Sequence, residues 1–99
     1  MNEGLIYIDD YCSGYGVENS FLLMLEEAGL IDLMRMEDMS YIPASQLSDL
    51  ESYSRMYYEL SINIEGIDVI HNLLERIQSM DQEMRELRSR LQLFGEVDL

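Results

Sequence analysis

The feature that most constrains the fold is an unbroken heptad repeat in the last third of the chain. Two series of apolar residues recur every seven positions between Ile70 and Phe94. No glycine lies between Gly66 and Gly95, and no proline lies in this stretch, so nothing in it interrupts a helix. The pattern predicts one helix over residues 64 to about 94, with an apolar seam at its a and d positions. The residues of this apolar seam are Ile70, Leu73, Ile77, Met80, Met84, Leu87, Leu91 and Phe94.

A helix of this length is too long for a small domain to cover. About 30 residues span roughly 45 Å at 1.5 Å per residue, so the apolar seam needs a second molecule to bury it. We therefore expect a homodimer held together by a coiled coil. The alternative is that the seam packs on its own domain, an option that is strongest for residues 67–74, where the seam begins. The sequence leaves parallel and antiparallel pairing open.

The charge distribution limits what the rest of the chain can bind. The sequence has no lysine, and its six arginines stand against 20 carboxylates, which gives a net charge of −14. Residues 1–54 contain one cation, Arg35, against 11 carboxylates. A DNA-binding surface has to supply cations to phosphates, whereas this part of the chain supplies anions. The pattern predicts a basic protein as the partner and disfavours binding to DNA or to an anionic membrane.

The sequence pattern at the beginning of the chain predicts a helix-turn-helix. A short extended segment precedes a brief helix that Asp9 or Asp10 can cap. A second helix follows, and Gly29 stands where a left-handed residue would end it, with Leu30 placed to close over that end. Two short helices separated by a glycine-containing turn are typical of this motif.

The next segment predicts a small hairpin, or wing, and then a third helix. Residues 31–36 and 39–42 flank Glu37 and Asp38, which are suited to a tight turn. Ser45 then offers a cap for the helix that follows Pro43.

Together these signals predict a mainly α protein, a winged helix-turn-helix with a small wing hairpin and a long C-terminal dimerisation helix. We place the winged helix-turn-helix domain at residues 1–62 and the coiled-coil helix at residues 63–99. Asn63 is the expected N-cap of that helix.

No constellation of catalytic or metal-binding residues is visible in the sequence. His71 and Cys12 are the sole residues of their types, too few for a zinc site. Position b of the heptad predicts an exposed His71, and Cys12 in a short helix is more often a small buried residue than a nucleophile. We expect no enzyme activity, no cofactor and no metal site, and leave open only a loose calcium contact at Glu37 and Asp38.

The expected location of the chain is cytoplasmic. The sequence contains no pattern of a signal peptide and no apolar run long enough to span a membrane. A lone thiol is also typical of a reducing compartment.

Three methionines cluster in the predicted wing, at positions 34, 36 and 39. Exposed methionines suit adaptable contacts with another protein, and buried ones fill irregular gaps in a core. The sequence leaves both interpretations open.

The segment that follows the predicted wing resembles a known family. It reads Arg55-Met56-Tyr57-Tyr58-Glu59-Leu60-Ser61-Ile62-Asn63-Ile64-Glu65-Gly66-Ile67 and continues through Leu73, Ile77, Met80, Arg88, Leu91 and Phe94. The order of helix-turn-helix, wing, helix and long helix resembles the MerR class of regulators. Within that class this segment looks closer to the chaperone-modulator (CbpM-like) family. The resemblance covers residues 40–94 well and residues 5–39 by pattern only.

The second predicted helix departs from the DNA-binding members of the MerR class. Those regulators carry arginine and tyrosines in this helix, before a glycine-leucine pair. Here Gly29 and Leu30 are kept, while Leu23, Met24 and Leu25 stand in those places. The departure and the charge both disfavour direct DNA binding.

The resemblance implies a non-catalytic chaperone modulator. Members of that family bind the J-domain of a DnaJ/CbpA-like co-chaperone and restrain its stimulation of the Hsp70 chaperone. J-domains expose a basic helix, so we expect an acidic face of this chain to meet it, with charge complementarity acting mainly on association rate and choice of partner. The alternative is a MerR-family transcription regulator that binds DNA as a dimer. The expected acidic face consists of Glu18, Glu26, Glu27, Asp32, Glu37 and Asp38.

Overall fold

The computed structural model describes residues 4–95 and shows a mainly helical chain with one small sheet. This confirms the predicted mainly α class with a helix-turn-helix and a hairpin wing. A short 3-10 turn and a π-helical turn flank the third helix. In chain order the elements are β1 (Leu5–Tyr7), α1 (Ile8–Tyr15), α2 (Asn19–Glu27), β2 (Met34–Met36), β3 (Met39–Pro43), the 3-10 turn (Ala44–Gln46), α3 (Leu47–Ser54), the π-helical turn (Arg55–Glu59) and α4 (Ile64–Leu93).

The chain divides into two compact units, Met1–Asp68 and Val69–Leu99. The first unit contains the hydrophobic core, to which α1, α2, β3, α3 and the first turn of α4 all contribute. The largest fully buried side chains are Phe21, Leu22, Leu25, Ile42, Leu50 and Ile67. Burying each of these apolar side chains stabilises the fold by about 1.5–3 kcal/mol.

Helix α2 ends as the sequence predicts. Gly29 has a φ of 79°, in the left-handed region where glycine carries no steric penalty. The N–H of Leu30 donates to the carbonyl of Leu25 at 2.9 Å, and the N–H of Gly29 donates to the carbonyl of Glu26 at 2.9 Å. These two bonds form a Schellman motif, and the side chain of Leu30 is buried beneath it.

The predicted cap of α1 by Asp9 or Asp10 is wrong. Tyr7 occupies the N-cap position without a side-chain hydrogen bond, and both aspartates lie in the first helical turn. The carboxylate of Asp9 instead accepts hydrogen bonds from the Tyr7 hydroxyl and from Nδ2 of Asn19, each at 2.8 Å. The bond from Asn19, followed by that from Tyr7, lowers the pKa of Asp9. Asp9 therefore joins the end of β1 to the start of α2.

Ser45 does not cap α3, contrary to the prediction. It lies inside the 3-10 turn, and α3 begins at Leu47 with no side-chain cap. The side chain of the neighbouring Gln46 bonds to the backbone of Asp32. Its Oε1 accepts from the backbone N–H of Asp32 and its Nε2 donates to the backbone carbonyl of Asp32, both at 2.7 Å. This pair of bonds holds the segment before β2 against the start of α3.

The predicted hairpin is confirmed, although β2 begins at Met34 rather than at residue 31. Ile31 is buried in the core and is not part of the strand. Strand β3 lies in the middle of the sheet, between β1 and β2, and both pairings are antiparallel. The pairing of β1 with β3 was not predicted, because the sequence indicated only an extended segment there.

The start of α4 is fixed by a side-chain cap that the sequence predicted. Oδ1 of Asn63 accepts a hydrogen bond from the N–H of Gly66 at 2.8 Å. A Cβ at Gly66 would lie 2.7 Å from Cγ2 of Ile62 and 3.1 Å from Oδ1 of Asn63. A side chain at position 66 would therefore require Ile62 or Asn63 to shift, which favours glycine at this cap.

Within residues 69–95 the second unit consists of the remainder of α4, to Leu93, and two further residues. No side chain within residues 69–95 is buried. In the apolar seam, Ile70 and Leu91 are half-buried, and the other six residues are 49% to 76% exposed. Most of the apolar seam is therefore accessible to solvent.

Candidate functional site

A groove of about 460 Å³ opens on the first unit, between the C-terminal half of α2 and the start of α4. We call it the acidic groove. Its volume falls within the range of sites that bind ligands or side chains of a partner. Its lining residues are Met24, Glu27, Ala28, Tyr57, Asn63, Ile64, Glu65 and Asp68.

Four of the lining residues are apolar or aromatic, and we call them the floor of the acidic groove: Met24, Ala28, Tyr57 and Ile64. Leu25 points into the core, so Met24 and Ala28, which are four residues apart, share an adjoining face of the helix. Tyr57 reaches the groove from the π-helical turn, where its ring lies 4.7 Å from that of Phe21. Ile64 completes the floor from the first turn of α4.

Three other lining residues carry carboxylates, Glu27, Glu65 and Asp68, and we call these three the rim. No cation lines the groove. Glu65 and Asp68 lie near the N-terminus of α4, where the helix dipole favours negative charge. Carboxylates around an apolar floor suit a partner that presents an apolar side chain flanked by lysine or arginine. The same rim repels phosphate, since nothing in the lining neutralises it.

Only one member of the expected acidic face, Glu27, lines this groove. Sequence reasoning missed Glu65 and Asp68, although both stand at the start of a helix whose cap was recognised. The signal available was their spacing of three residues, which places two carboxylates on the same side of the first turns of α4.

Two other predicted acids are engaged in contacts within the chain. Glu26 forms a bidentate ion pair with Arg35, with both N–O distances at 2.7 Å. The hydrogen bonds from Arg35 lower the pKa of Glu26. The backbone N–H of Glu18 donates to the Tyr58 hydroxyl at 3.1 Å, and that hydroxyl lies 3.5 Å from Oε1 of Glu18.

The remaining predicted acids lie on the segment before β2 and at the wing tip. The backbone N–H of Asp32 donates to Gln46, and the residue is exposed. Glu37 and Asp38 form the two-residue turn between β2 and β3, with φ values of 50° and 65°. Positive φ at both positions is what a type I′ hairpin turn requires, and it is an uncommon conformation for residues other than glycine.

The wing exposes its methionines, so they do not fill the core. Met36 and Met39 are directly paired across the turn, and Met34 is paired with Tyr41, which places all four side chains on one face of the sheet. Met34, Met36 and Met39 are exposed. The Tyr41 hydroxyl lies 3.8 Å from the sulfur of Met39. The arrangement provides a flexible, polarisable surface of the kind that adapts to a protein partner.

The exposed side of α2 carries two large apolar residues and no cation where a DNA-reading helix would be basic. Leu23 and Met24 are exposed, whereas the side chain of Leu25 is fully buried in the core.

Neither the single cysteine nor the single histidine forms part of this groove. Cys12 is buried, as predicted, and burial, followed by the nearby charge of Asp9, raises the pKa of its thiol. His71 is half-buried rather than exposed, and its Nε2 lies 3.3 Å from a carboxylate oxygen of Glu75. Within residues 4–95 no group of three or more His, Cys, Asp or Glu side chains could hold a metal ion. No helix in the same range is long and apolar enough to cross a membrane.

The comparison with protein families assigns this chain to a superfamily. A family model described as MerR HTH family regulatory protein matches residues 6–89. No curated protein and no solved structure matches the chain significantly. Because the family model covers most of the sequence, the chain belongs to the MerR HTH family, which confirms that part of the resemblance. The closer likeness to chaperone modulators stays a prediction.

Proposed function

We propose that this MerR-family chain is a non-catalytic chaperone modulator, which binds the J-domain of a DnaJ/CbpA-like co-chaperone and restrains its stimulation of Hsp70. The observation that carries the proposal is the acidic groove, with an apolar floor and three carboxylates on its rim. The likeness of residues 55–67 to the chaperone-modulator family supports the same partner.

The charge of the first unit favours a cationic partner. Residues 1–68 contain 14 carboxylates and two arginines, and one of these arginines, Arg35, is paired with Glu26. A basic helix is attracted over long range by such a field, which raises the association rate and suppresses anionic competitors. Because exposed charges are screened by salt, binding should weaken steeply as ionic strength rises.

The test is a binding titration with a purified DnaJ-type J-domain at low salt, together with the Hsp70 ATPase rate that this J-domain stimulates. We expect one J-domain per protomer and a reduced stimulated rate. No J-domain binding at low salt, with an unchanged ATPase rate, contradicts the proposed function.

A charge-matched pair of variants tests the groove itself. The triple variant Glu27→Gln, Glu65→Gln, Asp68→Asn removes the three rim carboxylates and should weaken binding by about tenfold or more. The control Asp49→Asn, Glu51→Gln, Glu59→Gln removes the same charge from exposed positions outside the groove and should weaken binding by less than about threefold. An equal loss in both variants would assign binding to the overall field rather than to the groove.

The alternative function, a transcription regulator that binds DNA as a dimer, is favoured by membership of the MerR family. The exposed side of α2 opposes it, since Leu23 and Met24 offer nothing to a phosphate. An electrophoretic shift at low ionic strength distinguishes the two functions. Specific retardation of a duplex would promote the alternative over the chaperone modulator.

A further inference from the structure

The outer face of the wing brings three methionine side chains together. Met34, Met36 and Met39 leave the sheet on the side opposite to Ile42, whose side chain is fully buried in the core. The three methionines are 39% to 46% exposed, so they are open to solvent. We call these three residues the methionine triad. Tyr41 borders it, because it is paired with Met34 and its hydroxyl lies 3.8 Å from the sulfur of Met39.

The register of the hairpin sets how far apart the members of the methionine triad are. Met36 and Met39 are direct partners across the turn, which places their Cα atoms about 5.5 Å apart. Met34 and Met36 are two residues apart on β2 and therefore separated by about 7 Å. The diagonal from Met34 to Met39 is about 7–8 Å. Each side chain has three rotatable bonds, so the three sulfurs can converge on one point above the sheet.

The charges around the methionine triad favour a bound cation. Glu37 and Asp38 lie between Met36 and Met39, and both carboxylates are exposed. The one cation of the hairpin, Arg35, leaves the sheet on the other face, and both of its terminal nitrogens bond to Glu26 at 2.7 Å. A positive ion at the triad is therefore attracted by the carboxylates of the turn, on a unit that is strongly anionic.

The sulfur atoms of the methionine triad select a class of metal ion. A thioether is a soft, uncharged donor that prefers Cu(I), whereas Ca²⁺ and Mg²⁺ take oxygen ligands. A thiol has to lose a proton before it binds a metal, and a thioether has no such proton. Three uncharged donors leave the bound ion with its full charge, which suits a monovalent ion beside the carboxylates of Glu37 and Asp38.

Methionine sulfur differs in kind from the ligands of ordinary metal sites. Within residues 4–95, His, Cys, Asp and Glu side chains form no group of three or more that could hold a metal ion. Cys12 is buried in the core, and His71 belongs to the second unit. Met80 and Met84, one turn apart on α4, supply two thioethers rather than three.

We propose that the methionine triad is a binding site for one Cu(I) ion, coordinated by the sulfurs of Met34, Met36 and Met39. The site lies on the wing and shares no residue with the acidic groove. Binding of a metal ion there is therefore a property of the first unit that does not depend on the proposed J-domain partner.

The experiment titrates the full chain, isotope-labelled at its methionine methyl groups, and follows those groups by NMR. The first probe is Ag(I), which shares the charge and the soft-donor preference of Cu(I) and is stable in air. We expect the three methyl signals of the methionine triad to shift together and to saturate at one ion per triad. The variant Cys12→Ala removes the thiol and should show the same three shifts. The second probe is Cu(I) without oxygen, which should reproduce them.

A pair of methionine variants tests the ligands. Met36→Leu removes one sulfur and keeps an apolar side chain of similar volume, so Ag(I) binding at the triad should weaken by about tenfold or more. The matched control Met84→Leu makes the same change at an exposed position of α4 and should leave this binding within about twofold of wild type. Circular dichroism checks that both variants keep their helix content.

Four results would overturn the proposal. They are triad signals that do not shift, shifts of fewer than three of them, equal losses in Met36→Leu and Met84→Leu, and binding of Ag(I) that Cu(I) does not reproduce. Any of these would leave contact with a protein as the role of the exposed methionines. Because J-domain binding is measured without metal, such a result would not bear on the proposed function.

Discussion

The two units of this chain treat their apolar residues in opposite ways. Residues 4–68 enclose twelve hydrophobic side chains in one core, whereas within residues 69–95 no side chain is buried. The second unit is not short of apolar residues, since it contains the whole apolar seam. The difference is one of geometry, because several elements can face one another and a single helix cannot. An apolar stripe without an opposing element needs a second molecule.

The two units differ equally in charge. Residues 1–68 contain 14 carboxylates against two arginines, and residues 69–99 contain six against four. Two copies of a strongly anionic unit repel each other, and such a unit attracts cations. Two copies of a helix with nearly balanced charge repel each other much less. The charge of the first unit therefore favours the basic partner of the proposed function, and the balanced charge of the second unit does not oppose the predicted association of two copies.

The largest expected effect comes from removing a core side chain of the first unit. Leu25→Ala should lower the free energy of unfolding by about 2–5 kcal/mol, since it leaves a cavity in a fully packed site. Leu87→Ala removes the same atoms from an exposed seam position. At protein concentrations too low for association it should cost much less. Urea denaturation at such a concentration compares the two variants, and equal losses would contradict the difference between the units.

A smaller effect is expected at the start of α4, which belongs to the first unit. Gly66→Ala places a methyl group 2.7 Å from Ile62 Cγ2 and disturbs the Asn63 cap, so we expect a loss of about 1–3 kcal/mol. Gly14→Ala is the control, because Gly14 lies in α1 with open space around it. That variant should gain up to about 1 kcal/mol from better helix propensity. Thermal denaturation measures both, and a stabilised Gly66→Ala would show that the close approach is not required.

The smallest expected effect concerns the Glu26–Arg35 ion pair on the first unit. Arg35 lowers the pKa of Glu26, so the pair contributes stability above the pKa of an unfolded glutamate. This contribution is lost as pH falls through the lower pKa of the folded state. The stability difference between wild type and Arg35→Gln should therefore be present at neutral pH, vanish in acid and shrink in high salt. A difference that grows in acid would contradict this assignment.

Local signals in the sequence were sufficient for several parts of the first unit. The end of α2 at Gly29, the turn at Glu37 and Asp38 and the cap by Asn63 each depend on a few neighbouring residues. The long helix followed from heptad spacing alone. In each case the physical preference acts over one turn of chain or repeats regularly, so it can be read directly from the sequence.

Contacts between distant positions could not be predicted in this way. Strand β1 pairs with β3 across more than 30 residues, and Gln46 holds Asp32 through its side chain. The expected caps at Asp9 and Ser45 were wrong because neither side chain caps the helix that it was predicted to begin. The side chain of Asp9 bonds instead to Tyr7 and to Asn19 of α2. The acidic groove was missed for the same reason, since its floor and rim come from α2, the π-helical turn and α4 together.

The burial of Cys12 has a practical consequence for labelling chemistry. Maleimides and haloacetamides react with thiolates, and this thiol is both shielded and held protonated by its raised pKa. For such reagents the protein behaves as a cysteine-free scaffold. A cysteine introduced at exposed Ser89 of α4 becomes the single reactive handle. Fluorophores attached there would measure whether two copies of α4 come close together, with no need to mutate the native residue.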